Sequence, residues 1–168
     1  MKRFIMMMIA ILSFAFGAIA QDGVKWETGS LQDALKKAAA NQATAAQASA
    51  AQASAVQTTA AQAASPAAGP TLVFLDCYTT WCGPCRNMSE NIFPQKAAGD
   101  YFNSKFINIK IDMEKGEGLD IRKYYGIRAY PTFLILDSKG KELGRLEGGG
   151  YLEPFIQRVE KVLENLNK

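Results

Sequence analysis

Apolar positions change period along the chain, and each period predicts an element. Near the N-terminus Leu31, Ala34, Leu35 and Ala38 recur at helical spacing, the pattern of a single buried helix face. Ser30-Leu31-Gln32-Asp33 at its head resembles a capping box with Asp where Glu is usual, and Val24 to Glu27 suits a short strand before it. Thr71 to Leu75 is a continuous run of strand length, as expected for a strand covered on both faces. Residues 84–92 suit a helix that Phe93-Pro94 should break or kink, with a second stretch over 95–103. Phe106 to Ile111 predicts another strand ending at Asp112, and Leu119 to Tyr125 a short helix closed by Gly126. Thr132 to Leu136 predicts a strand turning through Asp137-Ser138-Lys139-Gly140 into a partner at Glu142 to Leu146. Leu152, Phe155, Ile156, Val159, Leu163 and Leu166 form a closing helical stripe, with Pro154 tolerated in the first turn. The order β-α, β-α, β-α, hairpin, helix predicts an α/β fold with a central mixed sheet.

Two segments stand outside this pattern. Lys2 and Arg3 precede an uncharged stretch from Phe4 to Ile19, and Ala18-Ile19-Ala20 places small residues where a signal peptidase reads them. Residues 1–20 are therefore expected to be a signal peptide cleaved near Ala20, which makes the mature chain periplasmic or otherwise exported; an uncleaved membrane anchor is the alternative. Between Asn41 and Ser65 glutamine recurs every fifth residue, at Gln42, Gln47, Gln52, Gln57 and Gln62, among Ala, Ser and Thr. A five-residue period spirals around a helix and forms no core-facing stripe. Residues 41–70 are expected to be a low-complexity insertion, weakly helical or disordered. It divides an N-terminal strand and helix (residues 21–40) from the body of the domain (residues 71–168).

Composition narrows the chemistry. The 168 residues, 48% hydrophobic and 21% charged, fit one soluble domain. No histidine is present, which excludes imidazole bases, Ser-His-Asp and Cys-His nucleophile systems and His-containing zinc sites. The net charge of +3 falls toward neutrality if Lys2 and Arg3 are removed, and nothing in it implies nucleic-acid binding. The cysteines are Cys77, Cys82 and Cys85: too few for a disulfide scaffold, but with a CxxC step that marks redox or metal chemistry.

Trp81-Cys82-Gly83-Pro84-Cys85, set between a buried strand and a helix, resembles the active-site signature of the thioredoxin family. Two further features carry the resemblance: Asp76, six residues before Cys82, and Gly126-Ile127-Arg128-Ala129-Tyr130-Pro131-Thr132, similar to the family's cis-proline segment. It covers about 26–33 and 71–168, and the repeat has no counterpart. It implies a thioredoxin fold, a central mixed β-sheet flanked by helices, and a redox-active Cys82–Cys85 disulfide with no other cofactor and no metal. A thiol at a helix N-terminus meets unpaired N–H groups and the positive end of the dipole, so Cys82 is the expected nucleophile. Cys85, one turn on, is the expected resolving thiol.

The resemblance implies that Asp76 is the buried proton acceptor for Cys85, and that Trp81, Gly83, Pro84, Tyr130 and Pro131 form the substrate-binding surface. Gly148, Gly149 and Gly150 suit either close substrate approach or a flexible turn. Two positions depart from the family. Asn108 stands where thioredoxins often carry a lysine near the carboxylate, with Lys110 two residues on and facing the same side of its strand. Tyr130 stands where a small β-branched residue is common before the proline. Cys77 points away from Asp76 and is expected to be an inert buried thiol.

The expected activity is reduction of protein disulfides by an exported monomer. Gly83-Pro84 resembles the dipeptide of reducing thioredoxins, and the histidine usual in oxidases and isomerases is missing. The partners implied are disulfide-containing client proteins and a membrane thiol relay as electron donor. The alternatives are a disulfide oxidase or isomerase, and a thiol-dependent metal-binding module that recruits Cys77.

Overall fold

The computed structural model describes residues 23–53 and 69–166. The expected signal peptide and the repeat units beyond residue 53 lie outside the described residues.

Leu31 opens helix α1, Leu31–Ala53. Its start is the expected capping box: the Ser30 N–H donates to Asp33 Oδ2 at 3.1 Å and the Asp33 N–H to Ser30 Oγ at 3.2 Å. The helix does not stop at residue 40 but runs thirteen residues into the repeat. Alanine keeps the helical cost low there, and Thr44 Oγ1 bonds back to the Ala40 carbonyl, four residues before it, at 3.1 Å. Its first turns meet the core through Leu31, Ala34 and Ala38, with Leu35 packed against it.

Four strands follow: β1 Leu72–Tyr78, β2 Phe106–Asp112, β3 Thr132–Leu136 and β4 Glu142–Glu147. The sheet order is β2-β1-β3-β4, with β1 parallel to β2 and antiparallel to β3, and β3 antiparallel to β4. Trp26 extends the β2 edge by a parallel bridge to Asn108, in place of a full N-terminal strand. β1 is longer than its apolar run because ladders on both sides carry it through Asp76 and Cys77.

Strand alternation builds two cores. Val73, Leu75 and Cys77 face an aliphatic layer of Ile107, Ile109, Ile111, Leu134 and Leu136, closed by α1 and by helix α4, Gly118–Tyr125. Gly126 caps α4 in the left-handed region at φ 64°. Phe74 faces the other way, within 6.4 Å of the rings of Phe93, Phe102, Phe106, Phe133 and Phe155. This aromatic core is covered by α3, Lys96–Lys105, and α5, Leu152–Leu166. Aromatic pairs of this kind add about 0.5–1.5 kcal/mol each beyond burial. Along α5, Phe155 and Val159 are fully enclosed while Leu166 is 41% exposed, so the apolar stripe outlasts the sheet it covers.

Helix α2, Gly83–Asn87, widens into a π-helical turn over Met88–Ile92. The Phe93 N–H reaches back five residues to the Met88 carbonyl at 2.9 Å. The wider turn brings Met88, Ile92 and Phe93 together onto the aromatic core, and Pro94 then separates it from α3.

Candidate active site

Parallel pairing of β1 and β2 puts their carboxyl ends side by side, and the cysteine motif leaves the sheet there. Cys82 is the N-cap of α2, with extended φ/ψ of −72° and 106°, and its Sγ accepts the Cys85 N–H at 3.1 Å. Cys82 and Cys85 are joined as a disulfide with Cα atoms 5.3 Å apart. Both are buried, at 4% and 3% exposure. Pro84 lies in the first turn, where no N–H is required of it. A Cβ on Gly83 would meet nothing within 4 Å, so Gly83 leaves open space beside the disulfide rather than filling a tight turn.

Around the pair, Trp81 is 64% exposed, yet its indole is fixed. Nε1–H donates to Glu114 Oε2 at 2.9 Å, and the ring stands edge-to-face with Tyr130 at 5.9 Å. The Tyr130–Pro131 peptide bond is cis. The Pro131 carbonyl accepts the Gly148 N–H at 2.8 Å, and the Gly150 N–H points at Met88 Sδ at 3.4 Å. A Cβ on Gly149 would stand 2.8 Å from Met88 Cγ. The glycine loop therefore packs closely against the turns that follow the cysteines.

Asp76 lies beneath this surface at 1% exposure, and neither carboxylate oxygen has a hydrogen-bond partner. Burial raises its pKa to about 7, with Lys110 offsetting part of that rise. Lys110 pairs with Asp76 in the β1–β2 register, so it, and not Asn108, supplies the nearby positive charge. Asn108 is spent on structure: its amide donates to Asn103 Oδ1 at 3.2 Å and lies within 3.4 Å of the Lys25 and Phe106 carbonyls. A cavity of about 160 Å³ joins Lys110 to the disulfide, lined also by Tyr78, Thr79, Thr80, Arg86 and Ser89. Cys77 is fully buried on the opposite face of β1, and desolvation, with Asp76 next to it, pushes its thiol far up.

Glu114, Ser89 and Arg86 were not singled out by the sequence. The parallel strand ends were the available signal for Glu114, because whatever follows Asp112 must lie beside whatever follows Tyr78. Among the described residues, no group of three or more His, Cys, Asp or Glu side chains is arranged to hold a metal ion.

A family model for thioredoxin matches residues 55–161. Thioredoxin-1 of Drosophila melanogaster is 41% identical over 70 residues, 42% of this chain and 61% of that protein. The chloroplastic thioredoxin Y of Oryza sativa subsp. japonica is 37% identical over 92 residues, 55% of this chain and 51% of that one. The chain thus spans about half to three-fifths of the length of these curated relatives. Among solved structures, a candidate disulphide-isomerase from Bacteroides thetaiotaomicron is 35% identical with a TM-score of 0.61, over 85% of this chain and 95% of that one. A DsbH oxidoreductase at 15% identity and a TM-score of 0.60, over 84% of this chain and 85% of that one, attests the fold alone. A mixed sheet carrying a CxxC pair at a helix N-terminus and a cis-proline, together with these matches, shows that the chain belongs to the thioredoxin family.

Proposed function

We propose that the mature chain is an exported reductase of protein disulfides. The observation that carries the reading is Cys82 capping α2 and joined to Cys85, with Trp81 exposed and Tyr130 half-buried beside it. In the reduced protein the Cys82 thiolate, favoured by the unpaired N–H groups of the helix start, attacks one sulfur of a client disulfide. A mixed disulfide forms and the first client thiolate leaves. Cys85 then loses its proton and attacks Cys82 Sγ, releasing the second client thiolate and closing the Cys82–Cys85 disulfide. Two electrons pass to the client, and its two thiolates take up two protons. Asp76 accepts the Cys85 proton, a role that fits a carboxyl poised near pH 7. Pro131 and Tyr130 hold the client segment beside Cys82.

The direction rests on Gly83-Pro84 and on the missing histidine, and export rests on the N-terminal segment. A membrane thiol relay returns electrons to the pair, with no cofactor beyond the disulfide itself, and the chain acts as a monomer. The likeness to the candidate disulphide-isomerase, at 35% identity over most of both chains, favours isomerisation as the second reading. Equilibration of the mature protein with thiol buffers separates them. A reduction potential near about −270 mV supports the reductase, and one near about −120 to −180 mV moves the assignment to an oxidase or isomerase. If no reversible couple is found and one equivalent of metal is held by the reduced protein and lost in Cys77→Ser, the chain is a metal-binding module instead.

A further inference from the structure

A second concavity lies apart from the disulfide, and it is cationic. Leu119, Arg122 and Lys123 of α4 and Gly126, Ile127 and Arg128 of the loop that follows line an open cleft of about 430 Å³. All three basic side chains are exposed, and none is engaged in an ion pair among the described residues. The neighbouring acids are directed elsewhere. Glu117 Oε1 accepts the Leu31 N–H at 3.0 Å, Glu114 holds the Trp81 indole, and Asp112 pairs with Lys115 at 3.2 Å. Asp120, on the same helix, forms no ion pair with any of the three. The three cations between residues 122 and 128 therefore repel one another, and among the described residues no carboxylate pairs with them. Leu119, 54% exposed, adds an apolar wall.

At Arg128 the cleft adjoins the segment that leads to the surface around the disulfide. Arg128 is two residues from Tyr130, a reach of about 7 Å at most, and the Tyr130 ring is 5.9 Å from Trp81. An extended polypeptide with its cysteine at Cys82 advances about 3.3 Å per residue, so the Arg128 rim lies within several residues of that cysteine. We propose that the cleft docks an acidic segment of the client polypeptide, within a few residues of the disulfide to be exchanged. The proposal rests on the thiol–disulfide exchange reading above. Guanidinium groups match carboxylates in a two-point fork, and the open cleft with an apolar wall suits a chain carrying several carboxylates better than one small anion. Attraction of this kind acts mainly on the rate of encounter and weakens as salt rises.

The test uses the mature protein and three disulfide peptides that differ only in flanking residues: acidic, neutral or basic. The expected result is an acidic-over-neutral preference in kcat/KM of about tenfold at low salt. It should fall toward unity at high salt and in R122Q/K123Q/R128Q, whose thermal unfolding is checked first. A second readout needs no chemistry: fluorescence anisotropy of the acidic peptide with serines for its cysteines, whose binding should be lost in the triple variant. Equal rates on acidic and neutral peptides, or a preference or binding that survives the triple substitution, overturns the proposal. If no peptide is reduced, the reductase reading fails, and the serine-peptide binding still decides the docking site.

Discussion

Asp76 and Lys110 are register partners across β1 and β2 and emerge on the same sheet face, yet the lysine does not bond the carboxylate. Lys110 Nζ donates instead to Ser89 Oγ at 2.7 Å and lies over the rings of Tyr78 at 4.8 Å and Trp26 at 5.6 Å. The carboxyl therefore gains a distant field and no donor. Desolvation prevails, and its pKa rises to about 7.

That balance makes stability depend on pH with a definite sign. Between about pH 4 and pH 7 the folded protein keeps a proton on Asp76 that the unfolded chain has released. Stability should therefore fall with rising pH across that window, by about 1.4 kcal/mol per unit and about 4 kcal/mol in all, and stay level above it. Asp76→Asn should lack this slope and be the more stable protein at pH 8. Urea unfolding of both oxidised proteins at pH 4.5 and pH 8 checks it; parallel pH dependence would refute the assignment to Asp76.

Lys110→Met removes the one charge that lowers the Asp76 pKa. The expected outcome is a further rise of the carboxyl's titration midpoint, read from its carbon chemical shift against pH. The pH at which the resolving step accelerates should move upward with it. A midpoint that stays put would show that Lys110 is held by Ser89 too firmly to influence the site.

The origin of that lysine shows where sequence reading ends. The strands, α4 with its Gly126 cap, the hairpin and α5 follow from apolar periodicity, since each is a local pattern. The cysteines were legible because their motif is contiguous. That Lys110 rather than Asn108 sits beside Asp76 depends on the parallel register, which no local pattern states. The same holds for Glu114, which reaches Trp81 across 33 residues. The π-helical turn was hidden because Met88 to Phe93 reads equally well as an ordinary helix end; only the packing of Met88, Ile92 and Phe93 on one core requires the wider turn.

Cys85→Ser leaves Cys82 able to attack and nothing to release it. Mixed disulfides between Cys82 and client proteins should accumulate, visible as thiol-sensitive bands on non-reducing gels. The absence of any trapped species under exchange conditions would contradict the assignment of Cys82 as nucleophile.

Gly149→Ala should disturb the site from the loop side. The new methyl group would meet Met88 Cγ at 2.8 Å and Sδ at 2.9 Å, and Met88 is fully buried. Its displacement should cost about 1–3 kcal/mol and shift the helix that carries Cys85. A lowered urea midpoint together with slower disulfide exchange is expected; unchanged values for both would mean that Met88 moves aside freely.

The two ends of the repeat lie side by side on the folded body. Asn41 Nδ2 donates to the Pro70 carbonyl at 2.8 Å, and a Cβ on Gly69 would stand 2.6 Å from that same nitrogen. Residue 41 on α1 and residue 69 before β1 are thus neighbours, and a short linker can join them without moving either element. Beyond them, Gln42 Oε1 accepts from Ser138 Oγ at 2.7 Å, tying this part of α1 to the hairpin turn. Deleting residues 43–65 should therefore leave the melting temperature within a few degrees and disulfide exchange unchanged. Deleting residues 41–65 also removes the Asn41 and Gln42 hydrogen bonds, at a cost of about 1–2 kcal/mol and a further few degrees. Thermal unfolding of the two deletions side by side checks the difference; a loss above about 10 °C in the shorter deletion would show that the helix beyond Gln42 is part of the structural core.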